Sequence, residues 1–411
     1  MAAEKQRLAI LGSGFASLSL VKRIDLSSYK IAIISPRNHF LFTPLLPSTT
    51  VGTIEFRSII EPIRTSINEI RYYQAECVSI DPEKNVAKCQ TVQSREFFDL
   101  EYDRLVIAVG AVNNTFGIPG VEENALFLKE LDDARKIRRK IIENFERAAV
   151  PGTSDEEKER LLHFVVVGGG PTGVEFAAEL SDFIRDDLVK WYPKLIESAA
   201  ITLLEATTQI LGTFDSKLSE YAMKIFKRQS IDIRTNSPVK MVSRDTIMLN
   251  DGTAIPYGLI VWSTGIGPTK LLLSLPFPKN RASRILTDGF LKVPGTENIY
   301  AAGDCATVAD ANFPATAQVA QQEGKYLAKL FNRMEQGKEI EPFRYRNLGM
   351  LAYIGDKRAL ADLPNVKGKG FGTFLFWRSA YLTRLVSMKN KILVLFDWIK
   401  ASVFGRDISS F

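Results

Sequence analysis

The sequence predicts an α/β protein with two Rossmann-like dinucleotide-binding domains and a C-terminal membrane-anchoring domain built from amphipathic helices. Two patterns of strand, glycine loop, helix and strand, at residues 7–34 and 164–204, predict a duplicated doubly wound fold. A basic, aromatic-rich segment after about Glu341 fits neither pattern. We expect a first dinucleotide domain from residues 1–150 and 276–340, a second from 151–275, and the anchoring domain at 341–411.

The first pattern begins with an apolar run from Arg7 to Leu11. The run ends in Gly12-Ser13-Gly14, and a helix to about residue 24 leads to a second run at residues 31–34. The two glycines match the first half of the G-x-G-x-x-G fingerprint, whereas Ser17 holds the third glycine position. Ser35 ends the second strand, where an acid is common. This loop predicts a dinucleotide but leaves open which one.

The second pattern carries the full fingerprint, Gly168-Gly169-Gly170-Pro171-Thr172-Gly173, between a strand and a helix expected to run through Glu179. Such glycines allow a tight turn and let backbone N–H groups reach a pyrophosphate. The next strand ends at Glu205, whose carboxylate can accept hydrogen bonds from both adenosine ribose hydroxyls and repel the extra phosphate of NADP. This pattern therefore predicts an NADH site. Because the spacing from the glycines to Glu205 is longer than usual, a solvated strand-end acid is the alternative.

Three further strand ends carry loops that suit a ligand. The strand from Leu105 to Val109 ends at Gly110, that from Gly258 to Trp262 runs into Ser263-Thr264-Gly265, and that from Asn298 to Ala302 ends in Gly303-Asp304. The Asp304 carboxylate can bind the ribityl chain of a flavin, which pairs FAD with the first pattern. The alternative is an Asp that caps the next helix.

The segment from Pro314 to Gln322 predicts a helix start with small residues that allow close approach of a ligand. Its N-terminus can face a flavin and stabilise negative charge there. Gln318, Gln321 and Gln322 share one face and can hold a quinone carbonyl. Simple solvation of the three glutamines is the alternative.

The C-terminal segment combines positive charge with an apolar stripe. From Val366 onward there are eight Lys or Arg against two Asp, an excess equal to the net charge of +6 on the whole chain. At helical spacing, one face carries Ile392, Leu395, Phe396, Ile399, Val403 and Phe404. We expect an interfacial helix on an anionic lipid surface rather than a nucleic-acid site. Packing on the body of the protein or on a second subunit is the alternative.

Several function classes are disfavoured by what the sequence lacks. Cys77, Cys89 and Cys305 form no C-x-x-C pair, and His39 and His163 have no metal-ligand or nucleophile–base spacing, so we expect no metal. No run approaches the roughly 20 apolar residues of a spanning helix. Since the first strand starts by Arg7, we expect any targeting segment to be absent or already removed.

These motifs together resemble the type II NADH:quinone oxidoreductases, the single-subunit alternative NADH dehydrogenases, especially their mitochondrial and fungal-like members. The resemblance covers nearly the whole chain. It is carried by Leu11-Gly12-Ser13-Gly14, Ile34-Ser35-Pro36-Arg37, residues 40–47, Val165 to Glu175, Ala302-Gly303-Asp304, Ala317-Gln318-Val319-Ala320 and Phe396-Asp397-Trp398-Ile399-Lys400.

The resemblance implies one non-covalent FAD in the first domain, NADH in the second, and a quinone that reaches the flavin through the C-terminal domain. For FAD it implies Gly12, Ser13, Gly14, Phe15, Ser35, Pro36, Arg37, Thr43, Gly110, Asp304, Ala317 and Gln318. For NADH it implies Gly168, Gly169, Gly170, Pro171, Thr172, Gly173, Glu175, Glu205 and Gly265. For quinone it implies Pro47, Gln318, Gln321, Gln322 and Tyr381, with Glu175, Gln318 and Gln321 as the catalytic residues.

The implied reaction is hydride transfer from NADH to N5 of FAD, followed by two-electron reduction of a membrane quinone without proton pumping. The resemblance also implies a homodimer on the mitochondrial inner membrane. Gln321 departs from relatives that carry histidine there, so we expect it to hydrogen-bond rather than donate a proton. The remaining alternatives are a sulfide:quinone or disulfide reductase of the same architecture, which would need redox cysteines, and a non-enzymatic flavin-binding signalling protein.

Overall fold

Both predicted nucleotide folds are present as five-stranded parallel sheets, one in each of two compact units. The computed structural model describes residues 4–66, 69–311 and 313–409. The first unit comprises the chain up to Leu41, Glu61–Val112 and Ile266–Asn347; the second comprises Phe42–Ile60, Asn113–Gly265 and the chain from Leu348 onward. The four-part division expected from the sequence stays a prediction.

The sheet of the first unit has the strand order β21-β9-β1-β2-β5 with every pair parallel. Its strands are β1 (Gln6–Leu11), β2 (Tyr29–Ile34), β5 (Arg71–Tyr73), β9 (Arg104–Ile107) and β21 (Ile299–Ala301). The central strands are nearly continuous apolar runs because both faces of a parallel sheet are covered. Helices α1 (Phe15–Val21) and α11 (Ala317–Glu335) pack against each other.

The other elements of the first unit surround this sheet. An antiparallel sheet contains β6 (Ala75–Asp81), β7 (Val86–Thr91) and β8 (Phe97–Glu101), and β20 (Ile285–Thr287) pairs with β22 (Ala306–Val308). The short elements here and at the boundaries of the units are β3 (His39–Leu41), β4 (Ile60–Pro62), α3 (Ile63–Ser66), β10 (Val112–Asn113), β19 (Ile266–Gly267) and α10 (Lys270–Ser274).

The sheet of the second unit has the order β11-β18-β12-β13-β14, again fully parallel. Its strands are β11 (Leu126–Phe127), β12 (His163–Val167), β13 (Ala200–Leu204), β14 (Ile231–Arg234) and β18 (Leu259–Trp262). The helices around it are α2 (Leu46–Thr49), α4 (Val121–Asn124), α5 (Leu131–Ala149), α6 (Asp155–Leu161), α7 (Pro171–Phe183), α8 (Val189–Trp191) and α9 (Ser216–Arg228). A π-helical turn, Ile184–Leu188, continues α7.

The C-terminal segment folds within the second unit as a small sheet followed by two helices. The sheet contains β23 (Met350–Tyr353), β24 (Ala359–Asp362) and β25 (Lys367–Gly370), all antiparallel. Helices α12 (Phe371–Arg384) and α13 (Met388–Phe404) follow. A second antiparallel sheet of this unit contains β15 (Val239–Val242), β16 (Thr246–Leu249) and β17 (Ala254–Pro256).

The predicted fold class is confirmed, and the helix boundaries differ in three places. Helix α1 ends at Val21 rather than near residue 24, with Lys22 as its C-cap. Helix α7 continues past Glu179 to Phe183 because its buried face extends that far. The helix expected from Pro314 begins at Ala317, where the Thr316 side chain accepts a hydrogen bond from Val319 N and caps the first turn.

Candidate functional site

The first glycine loop lies between β1 and α1 in the first unit. Gly12 has φ +108°, and a Cβ there would lie 2.1 Å from the carbonyl oxygen of Ala108, so the turn requires glycine. A Cβ at Gly14 or at Gly110 would meet no atom within 4 Å. The backbone at these two positions therefore borders open space.

The end of β2 is tied to this loop by serine hydroxyls. Ser13 Oγ and Ser35 Oγ are 2.9 Å apart, and Arg37 N donates to Ser35 Oγ over 3.3 Å. Pro36 O accepts a hydrogen bond from Gln74 Nε2. Phe15 packs edge-on against Phe40, with 4.9 Å between ring centroids. Most of the residues predicted to bind FAD thus lie in one loop cluster of the first unit, whereas Thr43 belongs to the second unit.

Asp304 lies half-buried in a short turn, Gly303–Cys305, that is held by an acid the sequence analysis missed. Gly303 N donates to Oε2 of Glu323 over 2.6 Å. Glu323 is buried on α11, and desolvation raises its pKa to about 8.

The second glycine loop joins β12 to α7 in the second unit. Gly168 has φ +112°, and a Cβ there would lie 2.8 Å from the Thr264 side chain; a Cβ at Gly173 would lie 2.0 Å from Gly168 O. Gly170 caps α7, Pro171 and Thr172 open its first turn, and a Cβ at Gly170 would meet nothing. Gly265 also has positive φ and contacts Phe116. The loop expected after β18 thus lies against the second glycine loop.

Glu205 lies at this loop despite its longer spacing in sequence. Its carboxylate accepts hydrogen bonds from Gly169 N over 2.7 Å and from Thr207 N over 2.8 Å. The carboxylate therefore orients the glycine loop. That Glu205 makes this site prefer NADH to NADPH stays a prediction.

Glu175 lies buried on α7, one turn beyond the glycine loop. Its Oε1 accepts hydrogen bonds from Tyr353 N over 3.0 Å and from Trp377 Nε1 over 3.4 Å. Desolvation raises its pKa to about 8, although the two donors oppose that shift. Glu175 is therefore mostly protonated at neutral pH.

Two more acids on the same helix are buried, and the sequence analysis missed both. Glu179 accepts hydrogen bonds from Ser48 Oγ over 2.7 Å and from Thr53 Oγ1 over 2.6 Å. Asp182 accepts hydrogen bonds from the Tyr353 hydroxyl and from Asp356 N. Burial raises the pKa of both carboxyls. Pro47, a predicted quinone residue, lies buried in α2, which packs against α7.

The predicted acceptor residues are divided between the units. Gln318 and Gln321 lie half-buried on α11 of the first unit, next to Ala317 at its first position. Gln322 Nε2 donates to Arg346 O, and Gln322 Oε1 accepts from Arg346 N, so this amide already holds the chain at residue 346. Tyr381 lies buried on α12 of the second unit, packed on Trp377 and Phe42. Burial raises the pKa of its hydroxyl well above the usual range.

The predicted apolar stripe of α13 faces outward. Its six members are between 48% and 84% exposed, and Phe371, Leu375 and Phe376 on α12 are exposed as well. The opposite side of α13 carries the buried Asn390, Val394, Asp397 and Trp398. Within the described residues, no helix is long and apolar enough to cross a membrane.

Several of the cations counted in the C-terminal segment already have partners within the protein, which weakens the charge argument made from the sequence. Arg406 is ion-paired with Asp187, Lys400 with Glu55 and Lys367 with Asp362. Arg378 lies over the rings of Phe374 and Trp398. The apolar face is therefore the stronger feature of this surface.

The thiols show no redox arrangement of the kind that a disulfide reductase requires. Cys305 Sγ donates to Ala302 O, and burial raises its pKa to about 12, so the reactive thiolate is scarce. Cys77 and Cys89 face each other on β6 and β7, in a different sheet from the β1 strand that leads into the first glycine loop. Across the described ranges, no group of three or more His, Cys, Asp or Glu could hold a metal ion.

Comparison with known proteins identifies two families along the chain. Residues 6–324 match the pyridine nucleotide-disulphide oxidoreductase family, and residues 347–407 match the NDH2 C-terminal domain. A probable NADH dehydrogenase of Dictyostelium discoideum is 52% identical over 99% of this chain and 92% of its own length. The mitochondrial internal alternative NAD(P)H-ubiquinone oxidoreductase A1 of Arabidopsis thaliana is 45% identical over 99% of this chain and 86% of its own length.

Solved structures agree with these matches. The structure of NDH2 from Plasmodium falciparum in complex with NADH has a TM-score of 0.94 and 31% identity, and covers 99% of this chain and 100% of that one. The sulfide:quinone oxidoreductase of Aquifex aeolicus has a TM-score of 0.74 over 98% of this chain and 96% of that one, at 19% identity. That second likeness shows the shared fold alone.

Proposed function

Because the chain belongs to the type II, alternative NADH:quinone oxidoreductases, we infer that it oxidises NADH and reduces a quinone with FAD as cofactor and without pumping protons. This inference is supported by a family match over 99% of the chain. In addition, each of the two units contains a glycine loop of the kind that binds a dinucleotide.

The residues of the first unit fit FAD. The open backbone at Gly14 and Gly110 admits a pyrophosphate at close range, and the half-buried Asp304 at a strand end suits the hydroxyls of a ribityl chain. Gly12 to Phe15, Ser35 to Arg37 and Ala317 to Gln318 would complete the site. Bound FAD supplies a two-electron carrier between NADH and the quinone.

The second unit binds NADH at the loop from Gly168 to Gly173. The N-terminus of the thirteen-residue helix α7 favours the negative pyrophosphate. We assign Glu205 to the adenosine ribose, since it already lies on the loop that would hold the pyrophosphate.

Reduction of a quinone to a quinol consumes two protons, and we propose that Glu175 supplies one. Its Oε1 is occupied by two N–H donors, which leaves Oε2 to carry the proton. A pKa of about 8 keeps that proton bound at neutral pH and lets it leave under modest driving force. Gln318, Gln321, Pro47 and Tyr381 remain the proposed quinone-binding residues, and Gln322 is the weakest because its amide is already bound.

We propose that the outward faces of α12 and α13 lie on a lipid surface. Contiguous exposed apolar side chains are costly in water and favourable at a lipid interface. The mitochondrial name of the Arabidopsis relative supports a mitochondrial membrane as the location, and we propose the inner membrane. We also propose a homodimer, as in the family; light scattering in detergent would show twice the mass of one chain.

The test of this function is a steady-state assay of the purified protein with NADH, NADPH and several quinones. We expect rapid NADH-dependent quinone reduction and slower turnover with NADPH. Reduction of a disulfide by NADH would favour the disulfide reductase alternative, and reduction of quinone by sulfide in place of NADH would favour the sulfide:quinone alternative.

A further inference from the structure

The chain beyond α13 inserts a charged side chain into a buried cluster. The Arg406 side chain is 12% exposed; its Nη1 donates to Asp187 Oδ2 over 2.8 Å, and its Nη2 lies 3.7 Å from Glu179 Oε2. Both carboxylates are buried. Lys190 also lies 3.7 Å from Asp187, but its side chain is 60% exposed and water weakens that pair. Arg406 is therefore the main counter-charge for the two acids.

The same guanidinium contacts a segment that we name the bracket, residues 47–58. Arg406 Nε donates to Thr53 Oγ1 over 2.9 Å. Thr53 and Ser48, both in the bracket, in turn donate to Glu179 of α7. One side chain thus joins the tail, the bracket and α7.

The bracket also forms hydrogen bonds with α13. Asp397 accepts hydrogen bonds from Glu55 N over 3.0 Å and from Ser58 Oγ over 2.5 Å, and Asn390 Nδ2 donates to Ser58 O over 2.9 Å. A series of polar contacts therefore runs from the outward-facing helix through the bracket to the helix that carries Glu175. Arg406 completes this series because it contacts both the bracket and α7.

We propose that Arg406 is a positioning residue for quinone reduction, and that its ion pairs with Asp187 and Glu179 fix the bracket and α7 against α13. This rests on the proposed function, because Pro47 of the bracket and Glu175 of α7 belong to the proposed quinone and proton-donating groups. Without Arg406, the buried Asp187 and Glu179 lose their main counter-charge, which is strongly unfavourable, and the bracket loses its contact with the tail at Thr53. We expect the bracket to shift, which would misplace Pro47 and weaken quinone binding.

The test compares Arg406→Gln, Arg406→Lys and Arg406→Gln/Asp187→Asn with Arg244→Gln, which removes an exposed charge between β15 and β16. Three quantities are measured: the KM for a soluble short-chain quinone, the rate at which NADH bleaches the flavin in the absence of oxygen, and binding to anionic vesicles. We expect Arg406→Gln to raise the quinone KM on the order of tenfold, the effect of losing one favourable contact. Flavin bleaching should stay within about twofold of the wild type, and vesicle binding should be retained because the outward face is unaltered.

The charge-matched variants separate positioning from general stability. Arg406→Lys should bring the quinone KM most of the way back to the wild-type value, and the double variant should bring it part of the way back, whereas Arg244→Gln should match the wild type in all three measurements. If Arg406→Gln does not fold, the same quantities are measured on the double variant. A raised quinone KM in that variant, with flavin bleaching by NADH intact, supports the proposal. An unchanged KM, or a parallel loss of bleaching and quinone reduction, overturns it. A wild-type protein whose flavin is bleached but never reoxidised by quinone refutes the proposed function instead.

Discussion

Three buried or half-buried glutamates each accept a hydrogen bond from a backbone N–H of another segment of the chain. Glu205 binds Gly169 N, Glu323 binds Gly303 N and Glu175 binds Tyr353 N. Two of these amides belong to glycines, which have no side chain with which to fix their own loop. The acids therefore orient the backbone that must meet a ligand.

Replacing Glu205 with Gln should lower the ratio of kcat/KM for NADH to that for NADPH by about tenfold. The amide oxygen can still accept from Gly169 N, so the glycine loop should keep its shape, while the hydrogen bond from Thr207 N and the charge that repels the 2′-phosphate are lost. Steady-state kinetics with both nucleotides measure the ratio. Glu220→Gln, at an exposed position on α9, is the matched control. An unaltered ratio would mean that another group discriminates.

Quinone reduction should fall as pH rises through about 8, because Glu175 is neutral below its raised pKa and ionised above it. Glu175→Gln should lack this limb and should lower kcat on the order of a hundredfold. Glu323→Gln is the control, since Glu323 also has a pKa of about 8 and should leave the limb in place. The pH profile is measured for all three proteins. If Glu323→Gln lost the pH-dependent limb and Glu175→Gln kept it, the group that titrates would be Glu323 and not Glu175.

The sequence predicted the glycine loops, Asp304 and Glu205, because these follow from local order along strand, turn and helix. It did not predict Glu323, Glu179 or Arg406. Their partners lie 20, 126 and 219 residues away, at Gly303, Thr53 and Asp187 respectively. Such partners are set by tertiary packing, and periodicity carries no signal for them.

Among the elements, the contact of α1 with α11 positions the first nucleotide loop. A Cβ at Gly324 would lie 2.1 Å from Ala16 O, so glycine lets the two helices approach closely. Gly324→Ala should separate them, destabilise the protein by about 1–3 kcal/mol and weaken retention of FAD. Thermal unfolding and the flavin content after gel filtration measure both effects.

Gly372→Ala on α12 is the matched control for Gly324→Ala. A Cβ there meets nothing, so the same change should stabilise its helix slightly. Equal behaviour of the two variants would contradict the packing argument.

Helix α13 shows the limit of pattern analysis at this scale. The spacing predicted an apolar face correctly but could not decide what covers it; the structure leaves it exposed. Truncation before Phe371 would also remove the buried Trp377, Trp398 and Asp397, so surface substitutions test the face more cleanly.

Phe396→Glu combined with Ile399→Glu should release the protein from anionic vesicles, because two charges would enter the apolar layer. Leu273→Glu combined with Val150→Glu places the same charges on exposed apolar positions outside α12 and α13 and should leave binding intact. Co-sedimentation with liposomes at rising salt measures binding. Retained binding of the first variant would leave dimer packing as the better account of the stripe.

Across the whole molecule, the sequence predicted the duplicated nucleotide fold but not how the chain is shared between the units. Residues 42–60 interrupt the first unit and belong to the second. Their attachment there depends on Ser48, Thr53 and Ser58, whose hydroxyls bind acids on α7 and α13. A run of small polar residues has no local pattern that reveals this.

The proposed reaction requires direct passage of electrons from NADH through the flavin to a quinone. Anaerobic stopped-flow absorbance tests it, with the FAD-loaded protein mixed first with one equivalent of NADH and then with one equivalent of a soluble quinone. We predict loss of the flavin absorbance on the first mixing and its full recovery on the second, with one quinol formed per NADH. A flavin that NADH does not bleach, or that stays bleached after quinone is added, would contradict the account.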